Sequence, residues 1–304
     1  MSNPFFDRSP AFNGKGGVGT TPNGYPAMPG YQPGAQYGQA PTQGYPGYGQ
    51  VSPNQVAGLE AQYAAPSATN VDRGRMTYDD VIVRTAGMFA IILGTGALSW
   101  MLATNRATMG VGYLVMILGS IGALVLGLVN SFKKEPSPAL IMAYAACEGA
   151  MLGAFSGVMN YLYPGIVIQA MGATAATFVV MLCAYKFANF RVSARVARIL
   201  LIAMGGYLLF SLVNLVLMAT GAVTDPWGLR GSVTIMGIPL GVIVGLVVVV
   251  MAAVSLAMDF EAIQRGVEGG LPTRYAWAGA FGLVVTIVWL YVEFLRILAI
   301  LRDN

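Results

Sequence analysis

From residue 76 onward the chain is a succession of seven apolar segments, each long enough for a membrane span. A helix that crosses the hydrocarbon core of a bilayer needs about 20 such residues. The segments lie near 80–103, 109–131, 138–162, 164–188, 196–220, 233–260 and 276–301. Only 10% of the residues are charged while 56% are hydrophobic. So few charges cannot cover a water-exposed surface, since a soluble domain carries about 25%. The expected fold is an all-α integral membrane protein, a seven-transmembrane-helix bundle over residues 76–304. The first helix opens with Thr77-Tyr78-Asp79-Asp80, which predicts a capping box between Thr77 and Asp80.

Residues 1–75 have a different character. They hold 10 of the 16 prolines and much of the Gly, Gln and Tyr, as in GYPAMPGYQPGAQYGQAPTQGYPGYGQ. Such a composition cannot bury enough apolar surface to offset ordering entropy, so a disordered cytoplasmic tail is expected. Its recurring Tyr-Pro-Gly and Tyr-Gly-Gln pieces fit either a solvated tether or a sticky contact for a cytoplasmic protein partner. The stretch Gly14–Thr21 (GKGGVGTT) imitates a phosphate loop, but Gly19, not Lys, precedes Thr20, and no strand leads into it.

Charge distribution sets the expected orientation. The N-flank and even loops hold Arg73, Arg75, Arg84, Lys133, Lys134, Lys186, Arg191, Arg195, Arg198, Arg265 and Arg274, against Arg106, Arg230, Arg296 and Arg302 in the odd loops and at the C-terminal end. Eleven against four predicts a cytoplasmic N-terminus and an outside C-terminus. The basic residues are scattered rather than clustered on one face, so no nucleic acid is expected as a partner. The chain has no His and two Cys. That removes His-based proteases, haem and zinc sites, and any disulfide framework. No Lys lies in the seventh segment, which excludes a retinal Schiff base there. No cofactor is expected, and with no nucleophile–base set remaining, no enzyme. Cys147 and Cys183 read as small core residues.

Small residues repeat every four positions at Gly149, Gly153 and Gly157 on the third segment and at Gly237, Gly241 and Gly245 on the sixth. Such stripes let helix backbones approach closely, and they are assigned to packing.

Three acids stand in or beside apolar helices: Glu148 in mid-segment, Asp259 at the end of the sixth, and Glu293 inside the seventh. An acid at the bilayer centre costs about 2.5 kcal/mol or more, and such groups mark partners, water cavities or ion paths. Asp259 also reads as the first residue of a loop, since Glu261, Gln264 and Arg265 follow. Glu293 has Arg296 three positions on, on the same helix face. Tyr144 stands one turn before Glu148. Two carboxylates brought close at low dielectric cannot both ionise cheaply, so they share a proton or bind a cation. Oxygen ligands alone suit hard cations such as Ca²⁺.

MDFEAIQRG followed by YAWAGAFGLVVTIVWLYVEFLRILAILR resembles the last two helices of the Bax inhibitor-1-like family, the transmembrane Bax inhibitor motif proteins. YAACEGAMLGAFSG on the third segment is similar to bacterial members. The resemblance covers residues 76–304. It implies six helices around a central C-terminal helix, and a pH-sensitive calcium-leak channel of a bacterial plasma membrane. It also implies gating by a proton-sharing acid pair, which motif position maps to Asp259 and Glu293, with transient Ca²⁺ contact there. Glu148 and Arg296 are then candidates for lining or tuning the path. Glu293 stands where the motif often has Asp, and Arg296 where many relatives carry Asn. The alternative is a membrane interaction protein that regulates membrane proteases or stress responses through its tail, without conduction. A proton-coupled transporter is disfavoured by the lack of a repeated pair of broken spans.

Overall fold

The computed structural model describes residues 74–188 and 190–303. The tail, with its Gly14–Thr21 decoy, lies outside the described residues. Among these residues seven helices are long and apolar enough to cross a membrane, which makes the chain a multi-pass membrane protein. They are α1 (Tyr78–Thr104), α2 (Met109–Phe132), α3 (Pro138–Leu162), α4 (Ile166–Phe187), α5 (Ala194–Ala219), α6 (Leu240–Glu268) and α7 (Ala276–Asp303). The shortest has 22 residues and the longest 29. At about 1.5 Å per residue, each exceeds the roughly 30 Å of bilayer hydrocarbon.

Local chemistry sets the helix ends. Thr77 Oγ1 accepts from the Asp80 N–H at 3.2 Å, and Asp80 Oδ2 accepts from the Thr77 N–H at 3.0 Å. This is the capping box read from the sequence. Arg84 Nη1 then donates to Asp80 Oδ1 at 2.8 Å, one turn on. Pro138 opens α3, where its missing N–H costs nothing.

α7 is the axis of the bundle. Ala276, Ala280, Val284, Leu295, Ala299 and Ile300 along it have no exposed surface. It packs chiefly against α6, α1 and α4, while α2 lies outward against α3 and α1. The stripe on α3 works as expected. A Cβ built on Gly153 would lie 2.0 Å from the Gly96 carbonyl oxygen of α1, and one on Gly149 2.5 Å from the Ile92 carbonyl oxygen. α1 and α3 therefore touch backbone to backbone.

The sixth span differs from its expected bounds. It starts at Leu240 and ends at Glu268, not 233 and 260. Residues 234–239 instead form a two-stranded hairpin, β1 (Thr234–Ile235) and β2 (Ile238–Pro239), after a one-turn helix at Leu229–Ser232. Met236 (φ 52°) and Gly237 (φ 83°) make its turn, both in the left-handed region that a two-residue hairpin demands. Gly237 is thus a turn residue, and the packing stripe on α6 reduces to Gly241 and Gly245. A Cβ on Gly245 would meet Ile297 Cγ1 at 2.4 Å, so these two seat α6 against α7. Cys183 is exposed on α4 rather than buried, and Cys147 is half-buried.

α5 is held differently. Of its described residues only Leu200 and Asn214 are buried. Asn214 accepts from the Leu229 N–H at 2.7 Å, which ties the helix to the loop that follows it. At the opposite end of the bundle, Met76 is wholly buried, and its N–H donates to the Leu271 carbonyl at 2.7 Å. The start of the described chain is thereby strapped to the α6–α7 connection.

Overpacking at a close backbone contact costs about 1–3 kcal/mol. Gly153→Ala is accordingly expected to lower the thermal unfolding midpoint of the purified protein in detergent. Gly94→Ala, where no atom lies within 4 Å, leaves it unchanged. Equal midpoints for the two variants would show that the α1–α3 contact is looser than described.

Candidate functional site: two carboxylates on one cavity and a buried ion pair beyond it

Asp259 is 3% exposed and lies well inside α6, whose C-terminal turns continue to Glu268. The reading of Asp259 as a loop residue is therefore excluded. Its Oδ2 accepts a hydrogen bond from Thr286 Oγ1 of α7 at 2.6 Å. Glu148, 7% exposed, projects from the middle of α3, with Tyr144 one turn earlier on the same helix. The two acids face the same cavity of about 410 Å³. Its walls come from α2, α3, α5, α6 and α7, and among the described residues no Lys or Arg lines it. Thr286 and Tyr144 line it as well, so each acid sits beside a hydroxyl group.

Glu293 occupies a separate place. Its carboxylate is 1% exposed and forms an ion pair with Arg296, three residues on along α7. Tyr207 of α5 donates to Glu293 Oε2 at 3.2 Å and accepts from Arg296 Nη2 at 2.6 Å. A second guanidinium, Arg230, donates to Ser211 Oγ at 2.8 Å and lies over the Tyr207 ring at 5.6 Å. Glu293 Oε1, Arg296 Nε and Arg230 Nε are buried without a hydrogen-bond partner among the described residues. One cation thus pairs with the carboxylate, and a second stands behind the tyrosine that bonds it. A Cβ on Gly245 would come within 3.1 Å of Glu293 Oε1, so glycine at that position leaves room for the pair.

Asp259 and Glu293 have different direct partners: Thr286 for the first, Arg296 and Tyr207 for the second. They stand at different levels of α7. Thr286, which binds Asp259, precedes Glu293 by seven residues, about 10 Å along the axis. The acid that shares a space with Asp259 is Glu148. Arg296 is the direct partner of Glu293, the local pair that their three-residue spacing allows.

Sequence reasoning missed Thr286, Tyr207 and Arg230. Thr286 carried a weak signal, as a hydroxyl residue within an apolar run. Nothing local marked Tyr207, because its partners lie 86 and 89 positions away. Arg230 read as a loop charge; the hairpin and helical turn around it fold it back onto α5.

Compared with known families, residues 3–303 match a family model described as Bax inhibitor 1 like. No curated protein matches the chain.

Removing one partner of a buried ion pair costs about 3–5 kcal/mol, because the other charge is left uncompensated. Arg296→Met is expected to lower the unfolding midpoint strongly in detergent, and a second change, Glu293→Met, to restore most of it. A single variant as stable as the parent would mean that the pair does not hold α7 in place.

Proposed function

This chain belongs to the Bax inhibitor 1 like family, and on that premise we propose that it is a pH-sensitive cation leak channel. The permeant ion is Ca²⁺. The observation that supports this reading most is the cavity on which Glu148 and Asp259 both open, with no basic residue among its described walls. Two buried acids without a counter-cation attract one. Carboxylates and hydroxyls are hard oxygen donors, the set that Ca²⁺ prefers. The ion passes with part of its water shell, and the acids act as a relay rather than a permanent seat.

Glu293 and Arg296 form the closed gate in this reading. The guanidinium groups of Arg230 and Arg296 place positive charge beyond the cavity and repel a cation there. Conduction requires the Glu293–Arg296 pair to separate, so that the carboxylate turns to the path. Asp259 on α6 and Glu293 on α7 then act in succession along the path. Tyr207 couples this step to α5, because it bonds both members of the pair. The surplus of basic residues at the end that holds residue 74 supports a cytoplasmic N-terminus.

A second reading is supported by a different observation. Thr273 N–H and Oγ1 both donate to the Gly74 carbonyl, at 3.1 and 2.8 Å, and Met76 is buried under the α6–α7 connection. A cytoplasmic protein bound to residues 1–73 would pull on that connection. The protein would then act as a regulatory interaction module.

The test is Ca²⁺ flux into liposomes that contain the purified full-length chain, between acidic and neutral pH. Asp259→Asn and Glu148→Gln are each expected to lower flux about tenfold, or about 1.4 kcal/mol at the barrier. Glu293→Gln is expected to remove the pH dependence. No flux above empty liposomes, from protein shown to be folded, sinks the channel reading. Deletion of residues 1–70 then tests the interaction module by its effect on stress phenotypes in the cell.

A further inference from the structure

We infer that the Glu148–Asp259 cavity is a binding site for an amphipathic organic monocation, an alkylammonium that carries an aromatic or aliphatic body. The inference needs the cavity alone and does not require the protein to conduct.

Size is the first argument. About 410 Å³ lies within the range of roughly 300–1,000 Å³ typical of small-molecule sites. A cavity of about 150 Å³ already holds benzene. There is room here for an aromatic ring and a short ammonium arm. A resident Ca²⁺ would instead draw six to eight oxygens to within about 2.6 Å. No group of three or more Asp, Glu, His or Cys side chains converges among the described residues.

The lining is the second argument. Leu124, Leu128, Met151 and Val285 give aliphatic walls, and Phe281 and Trp289 give aromatic ones. Phe281 is fixed edge-on against Tyr144, with ring centroids 5.0 Å apart. An ammonium near the two carboxylates is attracted by their charge and by the ring faces, a combination that recurs in sites for organic cations. A small inorganic cation gains nothing from the aliphatic walls, whereas an amphipathic amine uses both kinds of surface.

Access is the third. Leu124 and Leu128 line the cavity, yet they are 64% and 50% exposed on the outer face of α2. Met204 closes the same cavity from α5, the least buried of the seven spans. An amine dissolved in the membrane can enter sideways between α2 and α5 without crossing the gate at Glu293.

The experiment is calorimetric titration of the full-length protein in detergent with 2-phenylethylammonium and with the neutral isostere 2-phenylethanol. The amine is expected to bind at one site per chain, and the alcohol at least tenfold more weakly. Glu148→Gln and Asp259→Asn should each weaken amine binding about tenfold. Glu135→Gln, at an exposed ion pair with Arg274, should not. A 4-bromophenyl analogue of the amine should quench tryptophan fluorescence, and Trp289→Phe should remove most of that quenching. Should an acid variant fail to fold, the amine–alcohol comparison and the quenching still decide the matter. Equal affinity of amine and alcohol, absence of saturable amine binding, or quenching that survives Trp289→Phe would each overturn the inference. Failure of Ca²⁺ flux with intact amine binding would remove the channel reading and leave this one standing.

Discussion

An ionised side chain inside a bilayer must be compensated, and the core of this bundle is arranged around that requirement. Three acids lie within or against the helical core, and they are compensated in two ways. Glu293 is neutralised by contact: an arginine on its own helix, a tyrosine from α5 and, around that tyrosine, a second arginine. Glu148 and Asp259 receive hydroxyl neighbours and an open volume instead. The first arrangement is self-contained and locks helices together. The second leaves the two carboxyl groups to be balanced by a proton or by a cation that enters.

Packing follows the same division. α1 and α3 meet through glycines with carbonyl groups in direct reach, so they form a rigid wall. α5 has almost no such contact. It is joined to the bundle by polar groups, through Tyr207 to Glu293 and Arg296, through Ser211 to Arg230, and through Asn214 to the loop after it. Polar tethers between membrane helices are worth about 1 kcal/mol each, far less than a continuous packed face. The helix that closes one side of the cavity is consequently the one most easily displaced. The same tyrosine that holds it also touches the buried ion pair.

The number of spans, the α1 cap, the α3 glycine stripe and the apolar character of each helix were legible in the sequence, because they depend on local composition and spacing. Glu148, Asp259 and Glu293 stood out for the same reason, as charges where charge is costly. Their mutual arrangement was not legible. Register between α6 and α7 depends on how Gly241 and Gly245 seat Ile300 and Ile297, and that contact spans some 50 residues of chain. The family resemblance supplied a pairing of Asp259 with Glu293. What the spacing could not show is that α6 runs eight residues beyond 260 and that Asp259 is bound by Thr286 of α7. Gly237 misled because a four-residue repeat does not distinguish a helix stripe from a hairpin turn that happens to precede it.

The two charged centres are linked by α7 itself. Thr286 reports on the cavity and Glu293 on the ion pair, and their seven-residue spacing is two turns of one helix, which puts them on the same face. A rotation of α7 that freed Thr286 from Asp259 would also turn Glu293 relative to Tyr207, since a packed helix moves as a unit rather than by residue. Displacement of α5 reaches the same pair from the other side. The arrangement therefore gives two routes to one event: charge entering the cavity acts on α7 through Asp259, and movement of α5 acts on it through Tyr207. A cation or amine in the cavity and an opening of the ion pair are then not independent, because both bias the same helix.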